Sequence, residues 1–252
     1  MNIGSNNRVM GVDGCSAGWI AILYDPKTKD VNWQFSESVH ELANEDVCLL
    51  GIDIPIISRE NEPRRESDHL ARELLGPKRS SVFFAPSRVG AQSFLQGKSY
   101  EETNELLEQS GEHKLSKQTW CIMPKISQVD EYLLSQDSLD NQRIFELHPE
   151  LIYHMLHQNT SRNPEYLLDK KRTETGRNER IRMLVKFLER DKIMGLLEVV
   201  PRKIAQPDDV LDALILAVFM GCAVQNKIPI FPPYNYASYI KNVFDLRPAL
   251  EH

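Results

Sequence analysis

The twelve residues from Ala213 to Val224 carry no charge, and they follow directly on Asp208-Asp209-Val210-Leu211-Asp212. A helix that is apolar all round has no face to offer water, so the rest of the chain must enclose it. Asp209 and Asp212 lie three apart and share a face of that helix. Asp208, just after Pro207, reads as the N-cap. Asp209 in the first turn gains from the helix dipole. Asp212 has neither role. A carboxylate at the start of a buried helix needs a cation beside it.

The N-terminal half supplies two more acids of the same kind. Val9-Met10-Gly11-Val12-Asp13-Gly14 is a short apolar run ending in a carboxylate, and Val47 to Asp53-Ile54-Pro55 is another. Runs with so little alternation suit central strands covered on both faces. Strands are expected over 8–14, 18–25 and 31–37, joined as an antiparallel meander through the polar stretch Asp25–Asp30. A short helix over 39–46 and the strand Val47–Ile54 follow, giving β-β-β-α-β. Later elements are a helix over 67–75, an extended piece over 81–86, and a helix over 99–110. A longer helix over 115–136, kinked at Pro124, completes this stretch. After it come a strand over 143–147 ending near Glu146, a helix to about 157, a loop over 158–176 and a helix over 177–190. Residues 192–200 read as neither helix nor strand with any force. The long buried helix over 208–224 comes last, before a proline-rich tail. The expected class is α/β. Residues 1–252 read as one domain, with a largely helical insertion or lid at about 58–140.

Composition narrows the function classes. A hydrophobic content of 41% and a charged content of 26% are those of a globular chain with a sizeable core. No run approaches a membrane helix and no apolar leader opens the sequence, so the expectation is a cytoplasmic protein with no membrane partner. The four cysteines form no C-x-x-C pair, which points to neither zinc nor a disulfide framework. The net charge of −6 speaks against a general nucleic-acid binder, yet Arg59–Arg88 and Arg162–Lys192 both carry an excess of basic residues. Those segments are either solvated helix faces or the approach to a phosphate backbone.

Acids at the ends of two strands and at the start of a buried helix can converge, since parallel sheets gather ligand sites at the carboxyl ends of strands. An oxygen-only set suits hard ions such as Mg²⁺ or Mn²⁺. Two such ions about 4 Å apart serve phosphodiester hydrolysis. The bland readings are an Asp-Gly hairpin turn at Asp13 and a turn before Ile54-Pro55 at Asp53.

Together these pieces resemble the ribonuclease H-like nuclease fold, and the final D-x-x-D-A-L helix is similar to that of Holliday-junction resolvases. More specifically, the chain resembles the domain of unknown function 429 family over roughly residues 8–224. The resemblance rests on Gly11–Cys15 with Gly18-Trp19, Ile52–Pro55, Arg64-Arg65 with Asp68, Ala71-Arg72, Leu75–Pro77 and Ser80–Pro86. It continues through Leu115–Gln118, Pro124–Ile126, Val129-Asp130, Glu146–Glu150, Lys171–Arg177 with Arg180, and Asp208–Ala213.

The resemblance implies a ribonuclease H-like mixed five-stranded sheet (β-β-β-α-β-α-β-α) and a divalent-metal-dependent nuclease. Asp13, Asp53, Asp209 and Asp212 would be its metal ligands, and Glu146 a second-line acid. Arg64, Arg65, Arg72, Lys117, Lys125 and Lys171 would meet a phosphate-bearing substrate, with Gln118 beside them. Arg72 and Lys125 could equally neutralise the acids. His148 is either a general base or a structural hydrogen-bonding group. The expected partner is a nucleic acid or a phosphate-containing small molecule. The alternatives are an actin-like nucleotide binder, which needs a second Asp-Gly loop, and a non-catalytic nucleic-acid or nucleotide binding protein on the same fold.

Overall fold

The structure, a computed structural model, describes residues 7–57, 65–136, 143–160 and 168–226. Strands β1 (Val9–Gly14), β2 (Trp19–Asp25) and β3 (Asp30–Ser36) form the expected antiparallel meander. Strands β4 (Leu49–Asp53) and β5 (Ile144–Glu146) extend the sheet on the other side of β1, each in parallel pairing. The result is a mixed five-stranded sheet in the order β3-β2-β1-β4-β5. The two apolar runs that end in Asp13 and Asp53 are its adjacent central strands.

In chain order the helices of the first half are α1 (Val39–Ala43), α2 (Glu66–Leu75), α3 (Arg88–Leu95), α4 (Tyr100–Gln109) and α5 (Lys117–Ser135). Those of the second half are α6 (Pro149–Thr160), α7 (Glu174–Leu184), α8 (Arg190–Val199) and α9 (Pro207–Gln225). Among the described residues no helix is long and apolar enough to cross a membrane.

Several local expectations need correction. Ser81 ends a 3₁₀ helix, Gly76–Ser81, so the extended piece expected from Ser81 begins at Val82. Helix α3 was not expected; Ser87 caps it by accepting the Gly90 amide. The long helix with Pro124 inside it is found as α5, 19 residues in all. The helix expected over 177–190 ends at Leu184, and a separate helix occupies 190–199. The proline-rich tail and the first six residues lie outside the described residues.

The chain divides into two compact units, Met1–Asp53 with Gln142–His252, and Ile54–Asn141. The first unit is built around α9. Every residue from Ala213 to Met220 is fully enclosed. Leu214, Ile215, Leu216, Val218 and Phe219 contribute roughly 1.5–3 kcal/mol each on burial. α9 lies across β1, β2 and β4, and the approach to β1 is close enough to exclude any side chain at Gly11. A Cβ there would stand 2.1 Å from the Ala213 carbonyl oxygen and 2.4 Å from the Ala217 amide nitrogen. Only glycine lets the strand and helix backbones touch. This contact fixes where the start of α9, with Asp212, sits relative to β1.

The second unit is helical and holds its own buried ion pairs. Arg88 Nη1 donates to Asp130 Oδ2 at 2.6 Å, and the Ser93 and Thr103 hydroxyls meet at 2.8 Å. Arg65 pairs with Asp68, whose Oδ2 also accepts the Ala85 amide at 3.0 Å.

Candidate functional site

Asp13 is the last residue but one of β1 and Asp53 is the last of β4, and the two are direct partners in the parallel register. Their side chains therefore leave the same end of the sheet side by side. Asp212 comes from the second turn of α9, which the Gly11 contact holds against β1. Asp13 and Asp212 are buried and Asp53 is half-buried; one carboxylate oxygen from each of the three lies within 4.8 Å of the others. Of the four acids expected as ligands, these three are brought together.

Asp209 is placed differently. Its Oδ2 accepts the Gln206 amide at 2.9 Å, forming a capping box in which Gln206, not Asp208, is the N-cap. A carboxylate at the third helical position turns back to the orphan amide that precedes it. Asp208 is buried and receives Arg172 Nε at 3.3 Å. Glu146 sits on β5 opposite Ile52, with Oε1 3.5 Å from His148 Nε2. It lies close enough to add negative charge at Asp53 but outside the trio.

Lys171 supplies a cation. Its Nζ donates to Asp212 Oδ2 at 2.6 Å, with the lysine side chain 37% exposed and the aspartate 4%. It was expected to meet phosphate; it is found paired with an acid of the trio. Its loop is held from below by Arg180, a fully buried guanidinium. Arg180 Nη1 donates to the carbonyls of Asp169 at 3.2 Å and Gly176 at 2.9 Å, and Nη2 donates to Glu150 Oε2 at 2.5 Å. Its guanidinium also lies 5.3 Å from the centre of the Tyr153 ring, and the Tyr153 hydroxyl donates to the Leu211 carbonyl at 2.8 Å. Gly176 has no room for a Cβ, which would stand 2.2 Å from the Lys170 carbonyl oxygen. The sequence marks Arg180 through the family resemblance, and its i, i+4 spacing with Leu184 puts both on the buried face of α7.

The trio is electrostatically strained without a divalent ion. Burial and the charges of Asp53 and Asp212 hold the Asp13 carboxyl well above its usual range, against the opposing charge of Lys171. Burial and then Asp212 push Asp53 up to about 7. Burial raises Asp212 as well, opposed by Lys171. For Lys171 burial favours the neutral form, but Asp212, Asp13 and Asp53 outweigh it and the ammonium is held charged. Three acids share one lysine in a low-dielectric place, so they resist ionising together. All three candidate donors are carboxylate oxygens, the set that hard divalent cations take. The donor chemistry thus fits Mg²⁺ or Mn²⁺.

The other basic residues expected at a substrate lie in the second unit. Arg65 is engaged by Asp68 and by the Ile56 carbonyl, the latter at 2.7 Å. Arg72 donates to the Val82 carbonyl at 2.5 Å and stacks 4.7 Å from the Phe84 ring. Lys117 and Gln118 are exposed at the start of α5, with Lys117 Nζ 6.0 Å from the Tyr100 ring, and Lys125 is half-buried further along. Arg64 lies outside the described residues.

The molecule is therefore an α/β protein whose mixed five-stranded sheet ends in a buried carboxylate trio with a lysine on one member. The family model for the protein of unknown function DUF429 matches residues 11–233, and the chain belongs to that family. No curated protein and no solved structure matches it.

Proposed function

We propose that this protein is a divalent-metal-dependent nuclease of the ribonuclease H-like kind, hydrolysing phosphodiester bonds in a nucleic acid. The observation that carries the reading is the convergence of Asp13, Asp53 and Asp212, each with a carboxylate oxygen within 4.8 Å of the others. The strand order β3-β2-β1-β4-β5, with acids at the ends of β1 and β4 and on a helix packed across them, supports the fold half of the proposal.

Asp13, Asp53 and Asp212 would hold Mg²⁺ or Mn²⁺. Bound there, the ion supplies Lewis-acid stabilisation of phosphoryl oxygens and an activated water. The protein's part is to fix the acids. β1 and β4 hold two of them in register, and the Gly11 contact sets the third. Low dielectric around the trio strengthens its hold on a cation.

The test is a cleavage panel of branched, single-stranded and hybrid nucleic acids with Mg²⁺, Mn²⁺ or EDTA, run beside Asp13→Asn. The expected result is cleavage that needs the ion and is lost in the variant. Cleavage that survives EDTA or Asp13→Asn would refute the proposal, as would a trio that takes up no Mn²⁺.

A further inference from the structure

Lys171 sits where a second cation would be expected. Its Nζ is 2.6 Å from Asp212 Oδ2, so one oxygen of the trio already accepts from an ammonium. Among the described residues Asp212 is the acid with which Lys171 forms a salt bridge, whereas the neighbouring cations are engaged elsewhere: Arg180 by Glu150 and Arg172 by Asp208. The lysine is also anchored at its backbone. Arg180 holds the carbonyls of Asp169 and Gly176, at the two ends of the turn that carries Lys171. Thr173 Oγ1 donates to the Lys170 carbonyl at 2.8 Å and accepts the Gly176 amide at 3.1 Å. The contact of Gly176 with the Lys170 carbonyl leaves no slack there. Such a loop presents its lysine in a fixed place rather than trailing it in solvent.

The charges then set a number. Once a bound ion has displaced their protons, three carboxylates against one ammonium leave two negative charges, which a single divalent ion neutralises. A second divalent ion would leave the cluster positive and would compete with the ammonium for Asp212. Glu146 adds negative charge at Asp53 but gives no oxygen to the trio, and its Oε1 lies 3.5 Å from His148 Nε2.

Resting on the metal reading above, we propose that Lys171 takes the place of a second divalent ion, so that the site holds one ion per chain with the lysine as its fixed second cation. This makes Lys171 a resident of the metal centre, not a distant phosphate contact.

The experiment counts Mn²⁺ bound per full-length chain, by water-proton relaxation and by calorimetry, with no substrate present. Four proteins are compared: the wild type, Lys171→Gln, Lys171→Arg and Asp13→Asn, with circular dichroism as the check on folding. The expected result is one ion for the wild type and for Lys171→Arg, a second ion gained by Lys171→Gln, and none for Asp13→Asn. Two ions in the wild type, both lost in Asp13→Asn, would overturn the role of Lys171 while leaving the metal reading intact. One ion in the wild type and still one in Lys171→Gln would do the same. No ion in any of the four would bring down the metal reading and this inference with it.

Discussion

Replacing Asp53 with asparagine should stabilise the metal-free protein at neutral pH, although it removes a group from the centre of the proposed site. The Asp53 carboxyl titrates at about 7 in the fold, against an ordinary value of 3.8, because burial and the Asp212 charge oppose its ionisation. The folded state therefore holds a proton that the unfolded chain has released throughout that interval, and stability falls as pH rises. The contribution is fully present below 3.8 and is lost as pH climbs through about 7. Each pH unit in between costs about 1.4 kcal/mol, on the order of 4 kcal/mol in all for this one group. Asparagine keeps the shape and never ionises, so Asp53→Asn should be more stable than the wild type at pH 8 by a few kcal/mol. The gap should shrink toward pH 5. Urea unfolding in EDTA at pH 5, 6, 7 and 8, followed by fluorescence, measures both curves. Added Mn²⁺ should close the gap at pH 8 by stabilising the wild type, since a ligand that binds only the folded state raises its stability. A wild type with no loss of stability between pH 5 and 8, or a variant less stable at pH 8, would refute the reasoning.

Two further substitutions test the scaffold. Gly11→Ala forces a methyl group into the 2.1 Å gap to the Ala213 carbonyl, and overpacking of this kind costs typically about 1–3 kcal/mol; a lowered urea midpoint with weakened Mn²⁺ binding is expected, and an unchanged midpoint would contradict the close approach. Arg180→Met takes the fully buried guanidinium from half-buried Glu150, a loss of about 3–5 kcal/mol for a buried pair. Adding Glu150→Gln should recover part of it, which a double-mutant cycle by chemical denaturation reads directly.

The central sheet was legible because its strands announce themselves chemically. Val9–Val12 and Leu49–Ile52 are unbroken apolar runs, and each ends in an acid that has no local partner in the sequence. The enclosed α9 was legible for the same reason, as twelve uncharged residues leave no solvent face. Asp209 shows the limit of spacing: it shares a helical face with Asp212, but a carboxylate at the third position has a nearer partner in the Gln206 amide. Pro124 removes a donor, yet the helical segment continues through it to Ser135. Helix α3 was hidden by Gly90 and by a short segment with little charge pattern. The place of Lys171 was the least accessible. A lysine in a polar loop has no period, and its partner lies 41 positions along the chain.

The contact between Gly11 and α9 also bears on how the molecule comes into being. Residues that touch there are separated by about 200 positions, so the core of the first unit is assembled from the most distant parts of the chain, a topology that slows folding. At a synthesis rate of about 5–20 residues per second, β1 and β2 emerge on the order of 10–40 s before the helix that covers them. During that interval Ile20 and Ile22, which share Gly11's face of the sheet and are fully enclosed in the finished protein, stand uncovered. The nascent meander is thus a surface that chaperones would be expected to shield until α9 arrives.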